Sequence, residues 1–202
     1  MALMFDMPLE RLLQYQGRNP KPADFDPFWD RSLAEMDAID SQVELTPAAF
    51  QAPYAECYDL RFTGVGGARI YAKLLKPRGV SGKRPALLQF HGYSGDCGQW
   101  QDKLAYAAAG FVVAALDCRG QGGLSEDVGG TTGNTLHGHI IRGLDDAPEK
   151  LLFRRIFLDC AQLAKIVMAM PEVDPDRVGC TGGSQGGGLT LACASLVPRI
   201  KK

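Results

Sequence analysis

Hydrophobic positions along the chain change their period several times, and each change marks a different kind of element. Over residues 26–40, Phe28, Trp29, Leu33 and Met36 recur at helical spacing, which predicts a helix with one apolar face after a short amphipathic start at residues 1–13. Tyr58, Leu60 and Phe62 then alternate with other residues, Gly64, Gly66 and Gly67 supply a turn, and Ile70, Ala72 and Leu74 alternate again. Period two on both sides of a glycine turn predicts an antiparallel hairpin. Beyond Pro77 the apolar runs become continuous: residues 86–90 and 111–116 fit short buried strands, with helical residues at 99–109 between them that stop at Gly110. Strand, helix, strand predicts parallel pairing.

Residues 122–138 are rich in Gly, Thr and Ser and show no period, so they read as a functional or a mobile loop. A long crossover helix is predicted over 149–170, where Leu152, Ile156, Leu163, Ile166, Val167 and Met170 form a stripe, with Arg154, Arg155 and Lys165 off it and Pro171 as its boundary. Residues 174–177 read as a turn, 178–181 as a short strand and 187–196 as a helix of small residues. The chain divides into a helical extension at 1–50 and a single α/β domain whose core sheet begins at 55.

Composition narrows the class. With 202 residues, 46% hydrophobic and 22% charged, the chain buries roughly 70% of its unfolded surface, so folding requires neither disulfide nor metal. The six cysteines (57, 97, 118, 160, 180 and 193) form no C-x-x-C pair and no zinc spacing, and Cys118 ends an apolar run; reduced core cysteines are expected, with no metal. Asp6, Glu10 and Arg11 interrupt the N-terminal apolar residues, which argues against a secretory signal, and no run approaches the roughly 20 apolar residues of a membrane span. A net charge of −1, with only Arg199, Lys201 and Lys202 clustered at the end, gives no footprint for nucleic acid. A cytoplasmic protein with neither membrane nor nucleic-acid partner is the expectation.

The chemistry gathers at Gly182-Gly183-Ser184-Gln185-Gly186. A G-x-S-x-G match in a glycine-rich chain is also what a simple reversing loop looks like. Here it follows a β-like run, precedes a helix, and comes after two strand–helix units, which is the context of a nucleophile elbow with Ser184 as nucleophile and Gly182 and Gly186 permitting the sharp turn. Helix N-terminal N–H groups favour negative charge developing on a substrate oxygen. His91 lies upstream, at the end of the 86–90 strand, where a structural histidine next to Gly92 fits better than a base. In that arrangement the backbone N–H groups of Tyr93 and Gln185 form the oxyanion hole, and Tyr93 also flanks substrate. His137 and His139, in or beside the loop, are read as solvated or structural.

In these residues and several other short motifs, the chain resembles the acetyl xylan esterase and cephalosporin C deacetylase family, carbohydrate esterase family 7. The likeness runs over nearly all of it: Met7-Pro8-Leu9, Phe25-Asp26, Phe28-Trp29, His91-Gly92-Tyr93, Arg119-Gly120-Gln121, Arg142-Gly143, Pro171-Glu172-Val173-Asp174 and Gly182 to Gly188. The resemblance implies an α/β-hydrolase fold of three layers, mostly parallel sheet with helices on both faces. It also implies removal of acetyl groups from small carbohydrates such as xylo-oligosaccharides and from cephalosporin C, no cofactor, and a homo-hexamer. Arg119 and Gln121 would brace the loops around the elbow.

One departure changes the expectation. The order in this fold is Ser, then Asp or Glu, then His, yet none of the residues after Ser184 is Asp, Glu or His. The chain is therefore expected to be truncated after the elbow helix and inactive alone. Two other readings stay open, a non-catalytic binding or assembly module and an α/β-hydrolase of another specificity, such as a peptidase, lipase or thioesterase.

Overall fold

The hairpin becomes the heart of a six-stranded sheet in the computed structural model, which describes residues 6–128 and 141–200. Strand β2 (Ala55–Thr63) pairs antiparallel with β3 (Arg69–Pro77) through nine residue pairs, and Phe62, Leu60, Ile70, Ala72 and Leu74 are all fully buried. The alternation seen in the sequence is thus the alternation of two sheet faces. Strand β1 (Glu44–Pro47) joins the outer side of β2. It corrects the reading of residues 1–50 as helical: all four of its residues are exposed, so only backbone pairing defines it and no apolar period announces it.

Strands β4 (Arg84–Phe90), β5 (Val112–Leu116) and β6 (Val173–Gly182) complete the order β1-β2-β3-β5-β4-β6. Parallel pairing holds for β5-β4-β6, while β1, β2, β3 and β5 pair antiparallel, so the sheet is mixed where a mostly parallel one was expected. Strand β6 also begins earlier than predicted. Its register against β4 jumps from Val173 opposite Arg84 to Val178 opposite Ala86, and the residues read as a turn are taken up in that irregularity.

Helices cover both faces. On one side lie α2 (Phe25–Asp37), α4 (Leu152–Met168) and α5 (Gln185–Leu196), packed with Leu60, Ile70, Leu88, Val112 and Leu116 in the main core. On the other, a 3₁₀ turn (Trp100–Lys103) runs into the five-residue α3 (Leu104–Ala108), against Cys57, Leu75 and Val113. Val112 and Val113 therefore face opposite cores, which is why β5 reads as continuously apolar. The first helix, α1 (Leu9–Leu12), buries nothing. All six cysteines are free and buried, and burial pushes the Cys97, Cys118 and Cys160 thiols up.

Helix α4 is the spine. Leu152, Ile156, Leu158, Leu163 and Val167 are buried along it, each contributing about 1.5–3 kcal/mol. Arg154, placed off the apolar stripe from the sequence, is buried as well, because α2 lies over it: its Nε donates to Ser32 Oγ at 2.9 Å, it pairs with Glu35, and its guanidinium sits 5.8 Å from the Phe28 ring. Deeper still, Asp159 accepts two bonds from Arg119, Nε to Oδ2 and Nη2 to Oδ1, both 2.6 Å, with neither side chain more than 1% exposed. Burial pushes the Asp159 carboxyl up, and the guanidinium opposes that shift.

Helix α5 approaches β4 so closely that backbone meets backbone. A Cβ at Gly186 would collide with the Phe90 carbonyl, 2.8 Å from its carbon, and one at Gly182 would lie 2.5 Å from the Gly186 carbonyl carbon. Neither contact can be relieved by turning a side chain. Gly186→Ala is accordingly expected to cost about 3 kcal/mol, seen as a lower urea midpoint. Asp159→Asn leaves the Arg119 charge buried without its counter-ion and is expected to cost about 3–5 kcal/mol in the same measurement.

Candidate functional site

The end of β6 and the start of α5 form a turn whose backbone is under strain. Ser184 has φ 54° and ψ −122°, a conformation that glycine adopts readily and a serine does not. It occupies the N-cap of α5, where a serine hydroxyl ordinarily accepts a bond from the N–H two or three residues on. Ser184 makes no such side-chain bond. The turn is closed by backbone alone, with Gly186 N–H donating to the Gly183 carbonyl at 2.8 Å and Gly187 N–H to the Ser184 carbonyl at 3.0 Å. The result is an exposed serine at the dipole end of a twelve-residue helix, its hydroxyl unused by the helix.

Facing it is the loop after β4. Gly92 is the point of contact: a Cβ built there comes 3.8 Å from Ser184 Cβ and from the Gly183 carbonyl oxygen. His91 is half-buried, with its ring held by backbone on both sides. Cys118 N–H donates to its Nε2 at 2.9 Å, so the ring proton sits on Nδ1, which donates to the Gly92 carbonyl at 2.7 Å. Both ring nitrogens are committed to backbone. His137 and His139 lie outside the described residues.

Beneath both loops runs the segment after β5, held by buried polar side chains. Arg119 is anchored on Asp159 and also donates from Nη1 to the Val65 carbonyl at 2.9 Å. Gln121, fully buried, accepts from Ser94 N–H at 2.9 Å and from Gln185 Nε2 at 3.2 Å, and donates to Gln185 Oε1 at 3.0 Å. Gly120 between them turns with φ 64°. Asp117 was missed in the sequence: it accepts from Cys97 N–H at 2.6 Å and Leu124 N–H at 2.7 Å, while Ser125 Oγ donates to its carbonyl. Asp159 was missed too, hidden on the long helix 40 residues along the chain from its partner Arg119. An acidic residue closing a buried strand was the one available signal for Asp117; nothing local pointed to Asp159.

Arg142, another residue of the resemblance, pairs with Asp127. Burial pushes the Asp127 carboxyl up, but the bond from that guanidinium, the Val128 N–H and the nearby positive charges together hold it below the usual range. Beside the elbow opens a cleft of about 360 Å³, lined by Gln89, His91, Asp96, Tyr106, Thr181 and Gly183 among others. Tyr93 is 37% exposed, at the rim of the β4 loop. Among the described residues no group of three or more His, Cys, Asp or Glu side chains is placed to hold a metal ion, and no helix is long and apolar enough to cross a membrane.

Known proteins carry the same architecture. The acetyl xylan esterase family (AXE1) matches residues 1–202. Acetyl xylan esterase 1 from Thermoanaerobacterium sp. JW/SL YS485 superposes with a TM-score of 0.89 at 64% identity, over 98% of this chain and 62% of that one. The acetyl xylan esterase from Paenibacillus sp. R4 gives 0.86 at 33% identity, over 96% and 62%. Acetyl esterase Axe7A of Xylanibacter ruminicola is 27% identical over 195 residues, 94% of this chain and 44% of its own length. The chain thus spans between 44% and 62% of the length of these relatives, and by the family match over residues 1–202 it belongs to the acetyl xylan esterase family.

Proposed function

We propose that Ser184 is the nucleophile of an acetyl esterase that deacetylates small carbohydrates such as xylo-oligosaccharides. The observation that carries this reading is the backbone of Ser184: a serine held at positive φ, at a strand-to-helix junction, with a hydroxyl that does not cap its own helix. Strain of this kind, about 1–3 kcal/mol, persists where surrounding structure imposes it.

In the first step Ser184 Oγ attacks the acetyl carbonyl while its proton passes to a base. The tetrahedral oxyanion rests on the N–H groups of Tyr93 and Gln185; its collapse forms the acetyl-serine and breaks the bond to the sugar oxygen, which takes the proton from the base and leaves as a hydroxyl. Water then attacks the acetyl-serine by the same route, releasing acetate and restoring the serine. The base is not His91, whose ring nitrogens are occupied by backbone. The base and its acid partner come instead from residues outside those described or from another polypeptide, and without them the nucleophile is weak. Cephalosporin C as a further substrate, a homo-hexamer and a cytoplasmic setting rest on the sequence resemblance alone.

Hydrolysis of 4-nitrophenyl acetate tests the reading. The assay compares the 202-residue chain with a version extended by the C-terminal region of the 64%-identical esterase, each with and without Ser184→Ala. The extended version is expected to turn over and to lose on the order of 10⁶-fold in kcat on Ser184→Ala, with the shorter chain near background. Turnover in the extended version that survives Ser184→Ala overturns the assignment.

A further inference from the structure

Gln121 holds a position that bracing of a loop does not require. Its carboxamide is fully buried and meets the Gln185 carboxamide head to tail, each donating to the other at 3.0 and 3.2 Å. The third bond fixes the orientation of the pair: Ser94 N–H can only donate, so the Gln121 oxygen must face it and the Gln121 nitrogen must face Gln185 Oε1. Ser94 directly follows Tyr93, and Gln185 directly follows Ser184. One side chain therefore joins the residue beside one oxyanion donor to the residue that carries the other.

We propose that Gln121 is a positioning residue that sets the separation of the Tyr93 and Gln185 N–H groups, and with it the stabilisation of the oxyanion formed at Ser184. The inference rests on the esterase reading above. Three features show that the span is held under constraint. Ser94 itself is at φ 57°, a left-handed conformation unfavourable for serine, and its N–H bond to Gln121 is among the contacts that keep it there. Gly122 sits against this loop so tightly that a Cβ there would lie 2.7 Å from the Ser94 carbonyl oxygen, and its N–H donates to the Gly95 carbonyl at 3.0 Å. At the other end, Gln185 Nε2 also reaches Cys118 Sγ at 3.6 Å, so the amide pair is clamped from the β5 side as well. Two loops and a helix N-terminus are thus referenced to one buried carboxamide, whose own base is fixed by Arg119 two residues earlier.

Oxyanion donors act through preorganisation, and a shift of about 1 Å weakens them without removing them. Gln121→Glu keeps the shape and the acceptor for Ser94 but cannot donate to Gln185 Oε1 when ionised; Gln121→Met keeps the volume and removes every bond. In the extended, active version both variants are expected to lower kcat roughly 10- to 100-fold, short of the roughly 100- to 1,000-fold for deleting a donor outright, with KM within about threefold. Hydrogen exchange on the same proteins supplies a readout independent of turnover. Residues 93–95 and 185–187 are expected to exchange faster, while 112–116 in β5 stay as protected as before. Unchanged kcat, a loss confined to KM, or faster exchange spreading through 112–116 overturns the proposal, the last because it marks a general scaffold role. If the parent protein shows no Ser184-dependent turnover, the esterase reading fails by itself, and unchanged exchange at 93–95 and 185–187 still overturns the positioning role.

Discussion

Everything at the site depends on the contact of bare backbone between the end of β4 and the start of α5. Gly186 lies against the Phe90 carbonyl with no room for a methyl group, and Gly182 lies against Gly186. Because two main chains touch, the position of the helix N-terminus is set by covalent geometry and not by side-chain packing, which can adjust. The serine between these glycines inherits that fixed position. The parallel register of β4 with β6, Phe90 opposite Gly182, supplies the other half of the constraint, since it brings the two strand ends level where the loop after β4 can lie over Ser184.

A second layer makes that geometry durable. The loop after β5 passes under both elements, and its anchors are charges and amides buried where water cannot substitute for them. The Arg119–Asp159 pair ties it to α4, and α4 is in turn the element with the longest buried face. An ion pair of this kind is a poor source of stability compared with apolar residues of the same volume, but it tolerates little displacement once both partners are desolvated. It fixes where the loop runs.

The elements that could be read in the chain are those whose burial follows a period. The hairpin, the strands at 86–90 and 111–116 and the long helix α4 were legible because each presents apolar side chains to a core at a spacing set by its own backbone. Strand β1 was not, since Glu44 to Pro47 are exposed and owe their conformation to hydrogen bonds from β2. Arg154 was misplaced for a related reason: a charged residue on a helix is assigned to solvent until α2 is seen to cover it with Ser32 and Glu35. At the site, Ser184, Gly182, Gly186, Arg119 and Gln121 stood out by motif. Asp117 and Asp159 did not, because their role is defined by partners 20 and 40 residues away in the chain.

The conformation of Ser184 also bears on how such a chain changes over generations. Glycine would occupy φ 54°, ψ −122° without strain, and the hydroxyl contributes no cap to the helix that would be missed. Selection for folding alone therefore runs against serine here, and on the esterase reading proposed above the use of the hydroxyl is what retains it. A duplicate copy released from that use is free to drift to glycine there and become more stable by doing so. Among relatives, the residue at this turn thus separates copies still under selection for a reactive oxygen from copies kept for their shape.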